Sequence, residues 1–261
     1  MTYSDQLGAA IKAENVPVPV YGKAAEAAKK ELPGDNSSVS YAEARAVLLS
    51  NQALRREVME KYPDYALRVA TLGDTVWFGS YDHGGSVESI EWIVLRRDGK
   101  KLLLLSKQGL DAAPMHPVYE NVAWSGCTLR NWLNGEFVKT AFTAQEQSMI
   151  LYTPLSPDRE VNIYANHGEN TMDRLFLLTL SDVREYFPKE QDRLCEPTAY
   201  AVSRGAYCRE GKCWWWLRTP GCAPLYYTFC YLNERGELKD RGDGVDHPDN
   251  AVRPAMWISL G

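Results

Sequence analysis

Trp214-Trp215-Trp216-Leu217-Arg218-Thr219-Pro220-Gly221 and, further on, Val252-Arg253-Pro254-Ala255-Met256-Trp257-Ile258 are the two stretches that decide how this chain is read. Adjacent indoles are costly to leave in water, because each aromatic side chain buries roughly 150–250 Å² when packed. The two stretches therefore predict a structural centre near the C-terminus. The residues between them have the opposite character, rich in Tyr, Asp, Asn and Gly. A rigid frame around a polar, aromatic insert predicts a displayed binding surface.

Within that insert, Leu225 to Leu232 alternates as a strand, with Leu225, Tyr227, Phe229 and Tyr231 on one face and Tyr226, Thr228 and Cys230 on the other. Either face offers aromatic rings, and tyrosine supplies large contact area at low rotamer entropy. The competing reading is ordinary aromatic content of a strand. Asn233-Glu234-Arg235-Gly236 reads as a turn, and Asp240 to Asn250 as a long polar loop with Asp240, Asp243, Asp246 and Asp249 at intervals of three. Such carboxylates are solvated, contact a partner, or hold a hard cation such as calcium. The ligand pattern of an EF-hand loop is absent, so no metal and no cofactor is assigned. The expected ligand-contacting set is Tyr226, Tyr227, Thr228, Phe229, Tyr231, Asn233, Arg241, Asp243, Asp246, His247, Asp249 and Asn250.

Upstream, Thr75 to Ser80, Ser89 to Arg97 and Lys101 to Ser106 read as strands, the last two joined by a type I′ turn at Asp98-Gly99. Thr128 to Phe137 reads as a helix with Leu129, Trp132, Leu133 and Phe137 on one face. Thr143-Ala144-Gln145-Glu146 has capping-box spacing. Leu175 to Leu180 reads as a strand and Ser181 to Phe187 as a helix. Trp214 to Arg218 and Ala251 to Ser259 complete the strands. Residues 1–68 are alanine-rich and helical in pattern: Lys23 to Leu32 is one helix, Ser40 to Glu43 has capping-box spacing, and Pro63 ends the following run. This segment is expected to pack on the main domain, with an oligomerisation or docking element as the alternative. Strands, a few helices and much loop imply an α+β domain over residues 69–261 with a small helical N-terminal appendage.

The chain has 261 residues, a net charge of −5 and a pI near 5.5. That balance argues against nucleic acid, which needs a basic face. No run of about eighteen apolar residues predicts a membrane span, and Met1 to Asn15 has no apolar signal-peptide core. A cytoplasmic location is expected, with a phage particle or signal-independent export as alternatives. The six cysteines, Cys127, Cys195, Cys208, Cys213, Cys222 and Cys230, lack zinc-knuckle spacing. They are expected to be mostly inert buried thiols, ahead of a disulfide or a metal site. The four histidines are scattered, and Asp158, Glu160, His167 and Asp173 read as loop chemistry. No nucleophile elbow, P-loop or dinucleotide fingerprint occurs. Arg218 and Arg253 are expected to pair with a carboxylate or stack on an indole.

The ordered pattern Gly79-Ser80-Tyr81, Ile90-Glu91-Trp92-Ile93-Val94-Leu95, Trp124, Thr128-Leu129-Arg130-Asn131-Trp132-Leu133-Asn134, Trp215-Trp216-Leu217-Arg218-Thr219-Pro220-Gly221 and Val252-Arg253-Pro254-Ala255 resembles a bacterial domain family of unknown function. The resemblance covers roughly residues 70–261. More distantly, the C-terminal part resembles the C-type-lectin-like fold of formylglycine-generating enzymes and of the variable proteins of diversity-generating retroelements. That resemblance implies a lectin-like frame with Tyr226 to Asn250 displayed. The expected function is a non-catalytic recognition module for a protein or glycan, in one version a retroelement-diversified variable protein. Two alternatives stand beside it. One is a copper- and oxygen-dependent enzyme of the formylglycine-generating type, with Cys222 and Cys230 side by side and open to solvent. The other is a structural or phage-borne subunit assembled through residues 1–68.

Overall fold

A computed structural model describes residues 61–159, 165–222 and 227–261, together with Lys23, residues 25–27, Glu43 and Glu57. The chain divides into two compact units, Met1–Ala70 and Thr71–Gly261. In the first, helix α1 (Pro63–Val69) buries Tyr65, Ala66 and Leu67. Lys61 is helical and Tyr62 is not, so the expected run stops before Pro63, which itself opens the next helix, where its missing N–H has no intrahelical partner to lose. Most of the expected 23–32 helix and Ser40 of the expected capping box lie outside the described residues. Among the described residues no helix is long and apolar enough to cross a membrane.

The second unit is α+β. Strands β1 (Thr75–Asp82), β2 (Val87–Asp98), β3 (Lys101–Ser106), β7 (Leu175–Phe176) and β14 (Ala255–Ser259) form an antiparallel sheet in the order β1-β2-β3-β14-β7. On β2, Ile90, Trp92 and Val94 are fully buried while Glu91 and Ile93 between them are half-buried, the period-2 alternation of a strand with one inner face. The β2–β3 turn sits one residue later than expected. Asp98 pairs with Lys101, and Gly99 (φ 56°) takes the first central position, the type II′ arrangement.

Among the described residues, five α-helices lie in this unit. Cys127 Sγ accepts the Arg130 N–H and starts α2 (Thr128–Trp132), which continues through a π turn (Leu133–Phe137) into α3 (Val138–Ala141). Leu129, Leu133 and Phe137 are buried, as their spacing predicts, and Trp132 is half-buried. The Thr143–Glu146 capping box forms and opens α4 (Ala144–Met149); the other Glu146 oxygen accepts the Gly79 N–H at 2.9 Å. A second capping box, Thr179 with Asp182, opens α5 (Leu180–Tyr186). It cuts short the expected Leu175–Leu180 strand, because at its end the Thr179 N–H is claimed by the Asp182 side chain and the Leu180 N–H by the Thr219 hydroxyl. A further short helix, α6 (Ala199–Ser203), is capped by Thr198.

A second sheet orders β4 (Asp111–Ala112), β10 (Trp215–Pro220), β11 (Thr228–Leu232), β12 (Leu238–Gly244) and β13 (Ala251–Val252) as β12-β11-β10-β13-β4. Two hairpins complete the strands, β5 (Thr153–Leu155) with β6 (Thr171–Asp173) and β8 (Cys208–Arg209) with β9 (Lys212–Cys213). Strand β10 is central and buried on both faces, so Trp215 and Trp216 point opposite ways and are both fully buried. Each indole N–H finds a carbonyl, Arg193 O at 3.1 Å and Ala113 O at 2.9 Å. The expected Asp240–Asn250 loop is half strand: β12 pairs with β11 through Gly244. The expected Ala251–Ser259 strand is broken at Arg253-Pro254, where the chain crosses from the second sheet to the first. Proline has no N–H for a ladder, which suits it to the crossing.

Arg253 staples that crossing. It is 1% exposed. Its guanidinium carbon lies 4.7 Å from the Trp215 ring centroid of one sheet, and its Nε donates to Ser106 O at the end of β3 in the other (2.9 Å). The expected stacking on an indole is present, and the named hydrogen bonds go to main-chain carbonyls rather than to a carboxylate. At the Asn233–Gly236 turn, Gly236 has φ 77° and a Cβ there would lie 2.0 Å from Glu190 O. Gly236→Ala is expected to cost about 2 kcal/mol or more from the left-handed backbone and the clash together; urea unfolding of the two chains measures it.

Candidate functional site

The β8–β9 hairpin turns at Glu210-Gly211, with φ 53° and 75°, a type I′ turn. It presents Tyr207 and Trp214 at its two ends, their ring centroids 4.4 Å apart. Trp214 continues onto Tyr231 of β11 at 5.1 Å. These rings form a ledge: Tyr207 is exposed, and Trp214 and Tyr231 are half-buried. Trp214 lies just before β10 begins, and so it is spared the core that takes Trp215 and Trp216. The Trp214 indole N–H donates to Glu234 at 2.6 Å, which fixes the ring.

Carboxylates rim the ledge. Burial pushes the Tyr231 phenol above its ordinary value, and the nearby Asp243, Asp249 and Glu234 push it further. Asp243 accepts the Asn250 side-chain amide at 2.8 Å and meets His247 Nδ1 at 2.6 Å. Asp249 Oδ1 is buried without a hydrogen-bond partner. Asp243, His247 and Asp249 each offer one ligand atom, all within 4.8 Å of one another. A mixed oxygen and imidazole set of this kind suits a transition metal better than calcium, which takes oxygen ligands. The Asp243–His247 contact needs no metal to account for it.

Of the expected contact residues, Tyr231, Asp243, His247 and Asp249 come together here. Tyr227 is exposed and lies apart, its ring 5.3 Å from Tyr119. Thr228 donates to Arg241 O at 2.9 Å, Arg241 is exposed, and Asp246 is half-buried beside Gly244. Tyr226 lies outside the described residues. Three expectations are corrected. Phe229 (1% exposed) packs inward, Asn233 (7%) ties its turn by accepting the Arg235 and Glu237 N–H groups, and Asn250 (0%) supports Asp243 from below. Tyr207, Trp214 and Glu234 were not in the expected set. Trp214 was visible in the sequence but was read with its neighbours as frame.

A small, partly open concavity is lined among others by Trp124, Ser156, Asp158, His167, Glu169 and Arg218. Arg218 donates to Ser156 O at 2.8 Å, and its buried Nε has no partner. Burial holds its guanidinium below the ordinary arginine value. Behind it, Asp173, read as loop chemistry, is a fully buried hub. It accepts Trp124 Nε1 (2.9 Å), Thr171 Oγ1 (2.8 Å) and Arg130 Nε (2.7 Å). Glu160 lies outside the described residues. Cys230 is buried with its thiol toward Pro220 O and Asp240 O, and Cys222 is half-buried. Burial pushes the Cys230 thiol up, with Asp240 and Cys222 adding to the rise, and the expected pair is closed to solvent on its Cys230 side.

The Trp214 hydrogen bond, first, holds the Glu234 carboxyl below the usual glutamate range. A depressed carboxylate stabilises the fold above its unfolded value, and that contribution is lost as pH falls through the folded one. The Trp214 indole N–H resonance is therefore expected to move in one acid step below the ordinary glutamate range. Glu234→Gln, whose amide oxygen still accepts, is expected to abolish that step; a proton NMR titration of both chains checks it.

A family model described as Domain of unknown function (DUF6273) matches residues 99–260. It begins in the β2–β3 turn, so β1 and β2 lie outside the match. No curated protein and no solved structure matches the chain.

Proposed function

The chain belongs to this family of domains of unknown function, and we propose that its 71–261 unit is a non-catalytic recognition module whose C-terminal face takes a cationic group of a protein ligand. The observation that carries the reading is the Tyr207–Trp214–Tyr231 ledge with Glu234, Asp243 and Asp249 beside it. A guanidinium or ammonium over an aromatic face gains about 0.5–2 kcal/mol, more as it is desolvated. Carboxylates at the rim add charge-assisted hydrogen bonds. The net charge of −5 also favours a cationic partner.

The resemblance to C-type-lectin-like folds supports a contact surface by analogy only, since fold does not fix function. In the retroelement-diversified version, natural substitutions concentrate between Tyr226 and Asn250 and spare the Trp–Arg frame. A glycan is the second occupant, because sugar rings also stack on exposed aromatic faces. The reading places the protein in the cytoplasm or on a particle.

Titration with Nα-acetyl-arginine amide, followed by NMR, tests the reading. Saturable shifts at the Trp214 indole and the Tyr207 and Tyr231 rings are expected, unchanged by a chelator and weakened by salt. The double substitution Asp243→Asn/Asp249→Asn is expected to remove them without altering the rest of the spectrum. Equal shifts with neutral methyl glycosides favour the glycan. No shift with either probe removes the ledge as a binding site.

A further inference from the structure

Cys208 and Cys213 stand directly opposite each other across the β8–β9 hairpin. The Cys213 N–H donates to Cys195 O (2.9 Å) and the Trp214 N–H to Tyr207 O (3.4 Å). Cys208 and Cys213 are therefore the non-hydrogen-bonded cross-strand pair, in which Cα atoms lie about 4.5 Å apart and side chains are closest. That separation is inside the range of about 4.4–6.8 Å that a disulfide spans. On its other side Cys213 is tied by that backbone bond to Cys195, close enough for each thiol to shift the other's ionisation. All three are free thiols; Cys208 is exposed and Cys195 and Cys213 are buried. The sulfurs thus run from solvent into the core, with Cys213 between the other two.

We propose that Cys208, Cys213 and Cys195 form a thiol–disulfide relay that ends in a buried Cys195–Cys213 disulfide, with Cys208 as its solvent-facing first thiol. The oxidant is a low-molecular-weight disulfide. The Cys208 thiolate attacks one of its sulfurs, forming a mixed disulfide and releasing one small thiolate. Cys213 attacks the Cys208 sulfur, forming the Cys208–Cys213 bond and releasing the second small thiolate. Cys195 then attacks the Cys213 sulfur and frees Cys208. Two protons leave the protein, one from each linked thiol, and the oxidant is reduced to two thiols.

The electrostatics favour the last step. Burial raises the Cys195 thiol, but the neighbouring Cys213 thiol and the Arg253 guanidinium bring it below the ordinary thiol range. Cys213 is driven above it, first by Cys195 and then by burial. The Arg253 guanidinium favours the ionised form of both buried thiols, and the thiolate is the attacking species. This relay is independent of whether the aromatic ledge binds a cation.

The test is incubation of the reduced, folded full chain with oxidised glutathione, followed by alkylation and peptide mass mapping. The end product is expected to carry a Cys195–Cys213 link. Cys208→Ser is expected to slow its formation roughly tenfold or more, since both remaining thiols are buried. Cys213→Ser is expected to trap glutathione on Cys208, and Cys195→Ser to stop at a Cys208–Cys213 link. Cys195 and Cys213 both remaining alkylatable, a terminal Cys208–Cys213 link in the unsubstituted chain, or an unchanged rate in Cys208→Ser overturns the proposal.

Discussion

Arg253→Ala is expected to lower the stability of the 71–261 unit by about 3–5 kcal/mol, the range of large-to-small substitutions in a core. The side chain is 1% exposed and fills the space between Trp215 and Phe187, with its guanidinium carbon 4.7 and 5.9 Å from their ring centroids. Truncation leaves a cavity where the two sheets exchange a strand. It also strips Ser106 O of its Nε donor, and an acceptor left unsatisfied in the interior costs about 1–3 kcal/mol. Arg253→Met fills most of the volume but restores no donor, so it is expected to recover part of the loss. Urea unfolding followed by tryptophan fluorescence separates the three chains. Equal midpoints for Arg253→Ala and the unsubstituted chain would show that the crossing does not depend on this staple.

Asp173→Asn is expected to cost as much, by a different route. Asp173 is fully buried, and one of its oxygens takes both Arg130 Nε (2.7 Å) and Nη2 (2.6 Å). The other takes Trp124 Nε1 and Thr171 Oγ1. Neutralising the carboxylate leaves Arg130, whose side chain is only 20% exposed, with a buried charge and no anionic partner. Breaking one side of a buried ion pair typically costs about 3–5 kcal/mol. The amide can also satisfy the indole and the arginine with only one acceptor oxygen. Thermal unfolding of Asp173→Asn is therefore expected to fall by roughly 6–20 °C. The double substitution Asp173→Asn/Arg130→Met is expected to recover part of that, because the stranded charge is gone.

The frame was legible in the sequence where local chemistry decides it. Thr143 with Glu146 announces a cap, whatever lies around it. Ile90 to Leu95 reads as a strand buried on both faces; Ile90, Trp92 and Val94 are fully buried, but Glu91 and Ile93 between them are only half-buried. Trp215 and Trp216 announce a strand buried on both sides. What was not legible depends on distant partners. Residues 240–244 look like loop because Asp and Gly dominate them; they are strand because β11 offers a ladder at the sheet edge. Ala251 to Ser259 reads as one strand, and only the two separate sheets reveal the break at Arg253-Pro254. Within the candidate site, the polar residues of the insert were visible, but which of them turn inward was not. Phe229 and Asn250 are buried because the β10–β11–β12 register and the closing turn aim them so. Tyr207 belongs to the ledge because a hairpin six residues long, from Cys208 to Cys213, folds it back against Trp214.

The central claim is that this frame holds an aromatic and acidic ledge for contact with a cationic group. The most direct measurement is a crystal structure of the chain with an arginine-containing peptide selected by display against it. The account predicts an arginine guanidinium within about 6 Å of the Trp214 ring, with Asp243 or Asp249 in hydrogen-bond contact. A peptide seated in the Arg218 concavity or elsewhere, with Tyr207, Trp214 and Tyr231 untouched, would contradict it.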